Sequence, residues 1–112
     1  MTVVLMIEFD YPKDPERDSK RLKYGSEVIE PYWDKLVKEK GIKVESTGWS
    51  DNTGHIISWS KFETMEDFAK LWEDEGWQQR VAAFTHLLDN KRIRLLRPSL
   101  TVPEELHVSK IT

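Results

Sequence analysis

The sequence predicts a single α+β domain, a split βαββαβ unit around a four-stranded antiparallel sheet. Three observations carry this. The segments Val3 to Asp10, Ile42 to Ser50, His55 to Phe62 and Lys91 to Arg97 have strand character, and two longer segments between them have helical periodicity. The two middle strands are separated only by the turn-forming run Asp51-Asn52-Thr53-Gly54, which predicts a hairpin. At 112 residues the chain has room for one core.

In the first strand Val3, Leu5, Ile7 and Phe9 alternate with Val4, Met6, Glu8 and Asp10, giving one wholly apolar face and one that turns polar at its end. Asp14-Pro15 then reads as an N-cap followed by proline at the first helical position. From Leu22 to Lys40 the residues Val28, Ile29, Tyr32, Trp33, Leu36 and Val37 recur at three- and four-residue steps, as one buried stripe requires. Pro31 either kinks this helix or starts a second one. Gly41 supplies a left-handed terminus, with Lys38 and Lys40 against the negative end of the dipole.

After the hairpin, Thr64 caps the second helical segment, with Glu66 and Asp67 in its first turn. Phe68, Leu71 and Trp72 form its inner face. A break is expected at Gly76, beyond which Trp77, Val81, Phe84 and Leu88 form a further stripe. The acidic run Glu73-Asp74-Glu75 reads as a solvated helix edge. In the last strand Ile93 and Leu95 share one face, Arg92, Arg94 and Leu96 the other, and Pro98 stops it. The domain is expected to occupy residues 1–98, and residues 99–112 to form a C-terminal arm.

Strand, helix, hairpin, helix, strand is the order of a ferredoxin-like layer, with both helices on one side of the sheet. The bare side is expected to carry Val4, Met6 and Leu96, with Ile56 and Phe62, too apolar a group to leave in water. A second copy of the chain is the simplest cover, burying on the order of 800 Å² per partner. The first and last strands are neighbours in this topology, so Glu8 should pair across them with Arg92 or Arg94.

Composition excludes several functions. The net charge of -3 comes from 17 basic and 20 acidic residues that are interspersed, so no basic field recruits nucleic acid or an anionic membrane. The amino terminus is apolar but lacks a basic leader, and the expected location is cytoplasmic. There is no cysteine for thiol chemistry or thiolate metal sites, and the three histidines are scattered, so neither a metal nor a cofactor is expected. Five Trp, four Phe and three Tyr are a rich inventory for a chain with 33% charged residues, at about 150 to 250 Å² buried by each aromatic, and some are expected to serve an interface or a ligand cleft.

The stretch Phe62-Glu63-Thr64-Met65-Glu66-Asp67-Phe68, followed by Asp74-Glu75-Gly76-Trp77 and then Phe84, resembles the second half of dimeric α+β barrel proteins of the antibiotic-biosynthesis monooxygenase type. In these an aromatic ends the third strand, Ser or Thr caps the second helix, and a small-residue break precedes a second aromatic. The resemblance implies a homodimeric barrel, in a superfamily that holds oxygenases, isomerases, cyclases and members without known activity. Its haem-degrading branch uses an Asn on the first strand and a Trp and a His ten residues apart on the second helix. This sequence has no Asn on the first strand, and Leu71 and Val81 stand at the other two positions.

The resemblance also implies a ligand held between sheet and helices. If the hairpin register places Ile57 with Val3, Leu5, Ile7 and Phe9, then His55 and Trp59 share that side, and Tyr32, Trp33 and Trp72 close it from above. A cleft of Phe9, Tyr32, Trp33, Trp59 and Trp72 suits a small hydrophobic or aromatic molecule, with His55 as general base toward a phenol or an activated carbon. The specific activity implied is a cofactor-independent monooxygenase or isomerase; the alternative is a non-catalytic ligand-binding or stress-related barrel. The same rings would also serve to fill the core, with His55 in solvent beside its turn.

Overall fold

The computed structural model describes residues 2–98, so the expected arm lies outside the described residues. Strand β1 (Val3–Asp10) leads into α1 (Pro15–Tyr24), a π turn (Gly25–Ile29) and α2 (Glu30–Lys40). The hairpin of β2 (Val44–Ser50) and β3 (His55–Phe62) follows, then α3 (Met65–Trp72), α4 (Glu75–Thr85) and β4 (Asp89–Leu96). The antiparallel sheet has the order β2-β3-β1-β4, with helices on one face, which is the ferredoxin-like arrangement. Between them lies a core of Val3, Leu5 and Phe62 from the sheet and Leu36, Leu71 and Trp77 from the helices.

Local chemistry sets the helix ends. Asp14 accepts the backbone N–H of Arg17 and Pro15 follows it. Pro31 has no N–H to give, and the chain accommodates it with the π turn: Glu30 N–H bonds the carbonyl of Gly25, five residues back. Gly41, at φ +61°, ends α2, with its own N–H and that of Ile42 both directed at Val37 O. Thr64 caps α3 by accepting from Asp67 N–H.

The break between α3 and α4 falls at Asp74, two residues before the expected glycine. Asp74 Oδ2 accepts the N–H of Trp77 at 2.8 Å and the hydroxyl of Tyr32 at 2.7 Å, so this residue is a cap joining three helices and not a solvated edge. Gly76 sits inside the first turn of α4, where a Cβ would collide with Tyr32 Oη. The glycine marks the close approach of α2 to α4.

Register decides which side chains share a face. Val3, Leu5, Ile7 and Phe9 oppose Phe62, Ser60, Ser58 and Ile56, and β2 places Val44, Ser46 and Gly48 beside Phe62, Ser60 and Ser58. Directly opposed residues of an antiparallel pair lie on one face, here the face beneath the helices. The other face carries Met6, Glu8 and Asp10 opposite Trp59, Ile57 and His55, with Trp49 and Leu96 on the flanking strands.

The expected hairpin register is therefore off by one. Ile56 and Phe62 join the helices, whereas Ile57, Trp59 and His55 occupy the bare face. Phe62 fixes the phase: it is 0% exposed and packs edge-on to Trp33 and Phe68, and alternation back from it sends His55 outward. Glu8 does lie opposite Arg92, but its carboxylate is 3.5 Å from His55 Nε2, so the expected cross-strand pair with arginine gives way to one with histidine.

Candidate ligand cavity

A cavity of about 520 Å³ separates the sheet from the helices. Leu5, Ile7 and Phe9 of β1 form the apolar part of its floor, and Ser46, Gly48, Ser58 and Ser60 form the rest. Ile29, Trp33, Trp77, Val81 and Phe84 roof it. The space exists because two adjacent strands present only small side chains inward: Ser46 opposes Ser60 and Gly48 opposes Ser58, beneath the large rings of the helices. Ser46 and Ser60 join their hydroxyls at 3.0 Å.

The roof is built of rings in mutual contact. Trp33 and Trp77 have ring centroids 5.5 Å apart at 58°, Trp33 leans on Phe62 at 6.2 Å, and Phe84 stacks on Tyr24 at 5.8 Å. Trp77 is 6% exposed, and its Nε1 is buried without a hydrogen-bond partner among the described residues. Glu30 and Asp34, one turn apart on α2, form part of the wall, and Lys91 of β4 forms another part. Lys91 Nζ donates to Thr85 Oγ1 at 2.6 Å, and burial pulls its pKa below the usual lysine range.

Of the residues expected at the cleft, Phe9, Trp33 and Trp59 line it. Trp59 opposes Met6, so its side chain issues from the far face, and it meets the cavity through the strand itself. Tyr32 does not line it. Its hydroxyl is held by Asp74 and its ring lies under the Arg80 guanidinium at 3.9 Å, with the bond to Asp74 raising its pKa. Trp72 is also outside, stacked on Phe68 at 5.4 Å.

His55 is on the opposite side of the sheet from the cavity. Its Nδ1 is 2.7 Å from Asp10 Oδ1, Asn90 Nδ2 donates to Asp10 Oδ2 at 2.8 Å, and its backbone N–H is accepted by Asp51. The hydrogen bond to Asp10 raises the pKa of the imidazole, and Glu8 adds to this. Both ring nitrogens are committed to carboxylates, which suits a structural cation; the expectation that His55 serves this cavity as a base fails with the register that produced it.

Trp77, Val81, Phe84 and Leu88 all line the cavity, so the stripe expected along the end of the second helical segment is its roof. The serine floor and Lys91 were not singled out in the sequence. The available signal was the small inward set at positions 46, 48, 58 and 60, which acquires meaning only once the strands are paired.

No protein-family model matches the chain, and no curated protein matches it in sequence. Among solved structures it is similar to SnoaB of Streptomyces nogalater, described as a cofactor-independent oxygenase, with 13% identity over 92% of this chain and 98% of that one and a TM-score of 0.65. It is also similar to a monooxygenase from the gene ActVA-Orf6 of Streptomyces coelicolor, solved with nanaomycin D, at 11% identity over 90% of each chain and a TM-score of 0.62. A dimeric protein of unknown function and ferredoxin-like fold from Bacteroides fragilis matches at 16% identity over 87% of this chain and 96% of that one, with a TM-score of 0.60. At these identities the likeness establishes the fold, one shared with antibiotic-biosynthesis monooxygenase-like proteins.

Proposed function

We propose that this chain is a homodimeric α+β barrel protein that holds a small hydrophobic or aromatic molecule in the cavity between its sheet and helices. The cavity carries the reading. Its volume of about 520 Å³ falls in the range for small-ligand sites, roughly 300–1,000 Å³, and aromatic walls with a few hydroxyls suit a flat, mainly apolar guest. The nanaomycin D bound by the Streptomyces coelicolor protein and the oxygenase chemistry of SnoaB support this class of ligand by analogy of fold.

The dimer rests on the bare face of the sheet. Met6, Ile57 and Trp59 lie at its centre, and Trp49, 65% exposed, and Leu96, 41% exposed, extend it to the edges. Pairing two such faces buries on the order of 800 Å² per partner and leaves both cavities on the outside of the barrel. The Bacteroides fragilis neighbour, described as dimeric, supports the same assembly.

Cofactor-independent monooxygenase or isomerase chemistry is the proposed activity, and it must come from groups on the cavity wall. The displacement of His55 favours the second reading, a non-catalytic binding barrel. Fluorescence titration with N-phenyl-1-naphthylamine tests binding: saturable enhancement that Val81→Trp abolishes supports the reading, and enhancement that survives this cavity-filling change overturns it. Oxygen uptake above the buffer rate with a hydroxynaphthalene identifies an oxygenase, and binding without uptake favours the binder.

A further inference from the structure

Lys91 is the one basic side chain on the wall of the cavity among the described residues, and it shares that wall with the carboxylates of Glu30 and Asp34 without forming an ion pair with either. It lies where the β1–β4 register shifts, and its bond to Thr85 of α4 and its place on the cavity wall put it on the helix side of the sheet. A second copy of the chain on the bare face therefore does not reach it. Among the described residues no carboxylate pairs with it, and its hydrogen-bond partner there is the neutral hydroxyl of Thr85. That hydroxyl donates in turn to Val81 O at 2.8 Å, so the acceptor is fixed and the ammonium is held in place. An ammonium has three protons, and Thr85 takes one.

The floor adds the hydroxyls of Ser46, Ser58 and Ser60 to the ammonium of Lys91 as polar groups of the wall. The carboxylates on the wall, Glu30 and Asp34, both belong to α2, so negative charge is confined to one helix while the positive charge comes from β4. A guest with one anionic end is attracted by Lys91 and repelled from α2, which orients it.

We propose that Lys91 anchors an ionised oxygen, so that the cavity selects flat aromatic monoanions, such as carboxylates, sulfonates or phenolates, over uncharged aromatics of the same shape. This rests on the reading of the cavity as a ligand site and adds the charge class of the ligand. Half-burial of an ammonium without a counter-ion is costly, and a bound anion removes that cost. The lowered pKa of Lys91, caused by burial, accords with a positive charge that no carboxylate pairs with among the described residues.

Two probes that differ by one anionic group test it on the full chain: 8-anilinonaphthalene-1-sulfonate and its uncharged counterpart N-phenyl-1-naphthylamine. Lys91→Met keeps the stem and removes the charge. It is expected to weaken the sulfonate roughly ten- to a hundredfold, as for a lost charged hydrogen bond, and to leave the neutral probe unaffected. Lys91→Gln should repeat this, and Lys91→Arg should keep the sulfonate bound. Equal losses for both probes, or no loss for either, overturn the assignment, as does a wild-type protein that binds only the neutral probe. If neither probe binds the wild type in a Val81→Trp-sensitive way, the cavity reading fails first and this inference fails with it.

Discussion

Tyr32 and Gly76 touch across two helices: the Tyr32 ring carbon Cζ lies 2.9 Å from where a Cβ on Gly76 would stand, and the hydroxyl lies nearer still. The approach lets Tyr32 Oη reach Asp74 and ties α2 to the start of α4, on which the cavity roof is mounted. Gly76→Ala is expected to lower stability by ~1–3 kcal/mol through overpacking, read as a fall in thermal midpoint. Tyr32→Phe should recover part of that loss in the double variant, because it removes the nearest atom.

Asp74 makes the same joint sensitive to acid. The Tyr32 hydroxyl, then the Trp77 N–H and Lys40, hold its pKa down at about 2. A depressed carboxylate contributes stability above the unfolded value, about 3.9, and loses it as pH falls through the folded value. Denaturant midpoints measured across this acid range should drop for the wild type, and Asp74→Asn should flatten that drop while lowering the neutral-pH plateau.

His55 has the opposite sign. Its pKa is raised, chiefly by the hydrogen bond to Asp10, so its contribution is complete below the unfolded value of about 6.5 and is lost as pH rises through the folded one. Asp10, lowered by its hydrogen bonds from Asn90 and His55, loses its contribution as pH falls. The pair therefore stabilises best between the two. His55→Asn should remove the alkaline-side loss seen in unfolding curves. It should leave N-phenyl-1-naphthylamine affinity unchanged, because His55 is on the far face of the sheet from the cavity.

What was legible in the sequence was local. Asp14-Pro15, Gly41 and Thr64 announce helix ends through side chains that act within a few residues, and the alternation of Val3 to Phe9 marks β1 unambiguously. The phase of β3 was not legible. Ile56 and Ile57 are both apolar, so the strand itself permits either face, and burial of Phe62 in a core assembled from distant segments decides the matter. That single residue of phase moved His55 and the Trp59 side chain away from the helices. Asp74 read as solvated because its partners Tyr32 and Lys40 are remote in sequence, and Lys91 read as an ordinary strand residue because Thr85 and the cavity become its neighbours only on folding.

The bare face predicts its own disruption. Met6 is central on it, opposite Trp59 and beside Arg94. Sedimentation equilibrium should give twice the chain mass for the wild type and the chain mass for Met6→Lys, since two-fold pairing buries an added ammonium beside Arg94 on each side of the interface. A wild-type monomer at micromolar concentration would remove the barrel from the account but leave each cavity intact.

The most direct test of a ligand site between sheet and helices is a crystal structure grown with N-phenyl-1-naphthylamine. The account predicts density for the rings between Trp33 and Trp77 above and Ser58 and Ser60 below, in each protomer. Density against Ile57 and Trp59 on the other face, or a cavity closed by rotation of Trp33 with no ligand in it, would contradict it.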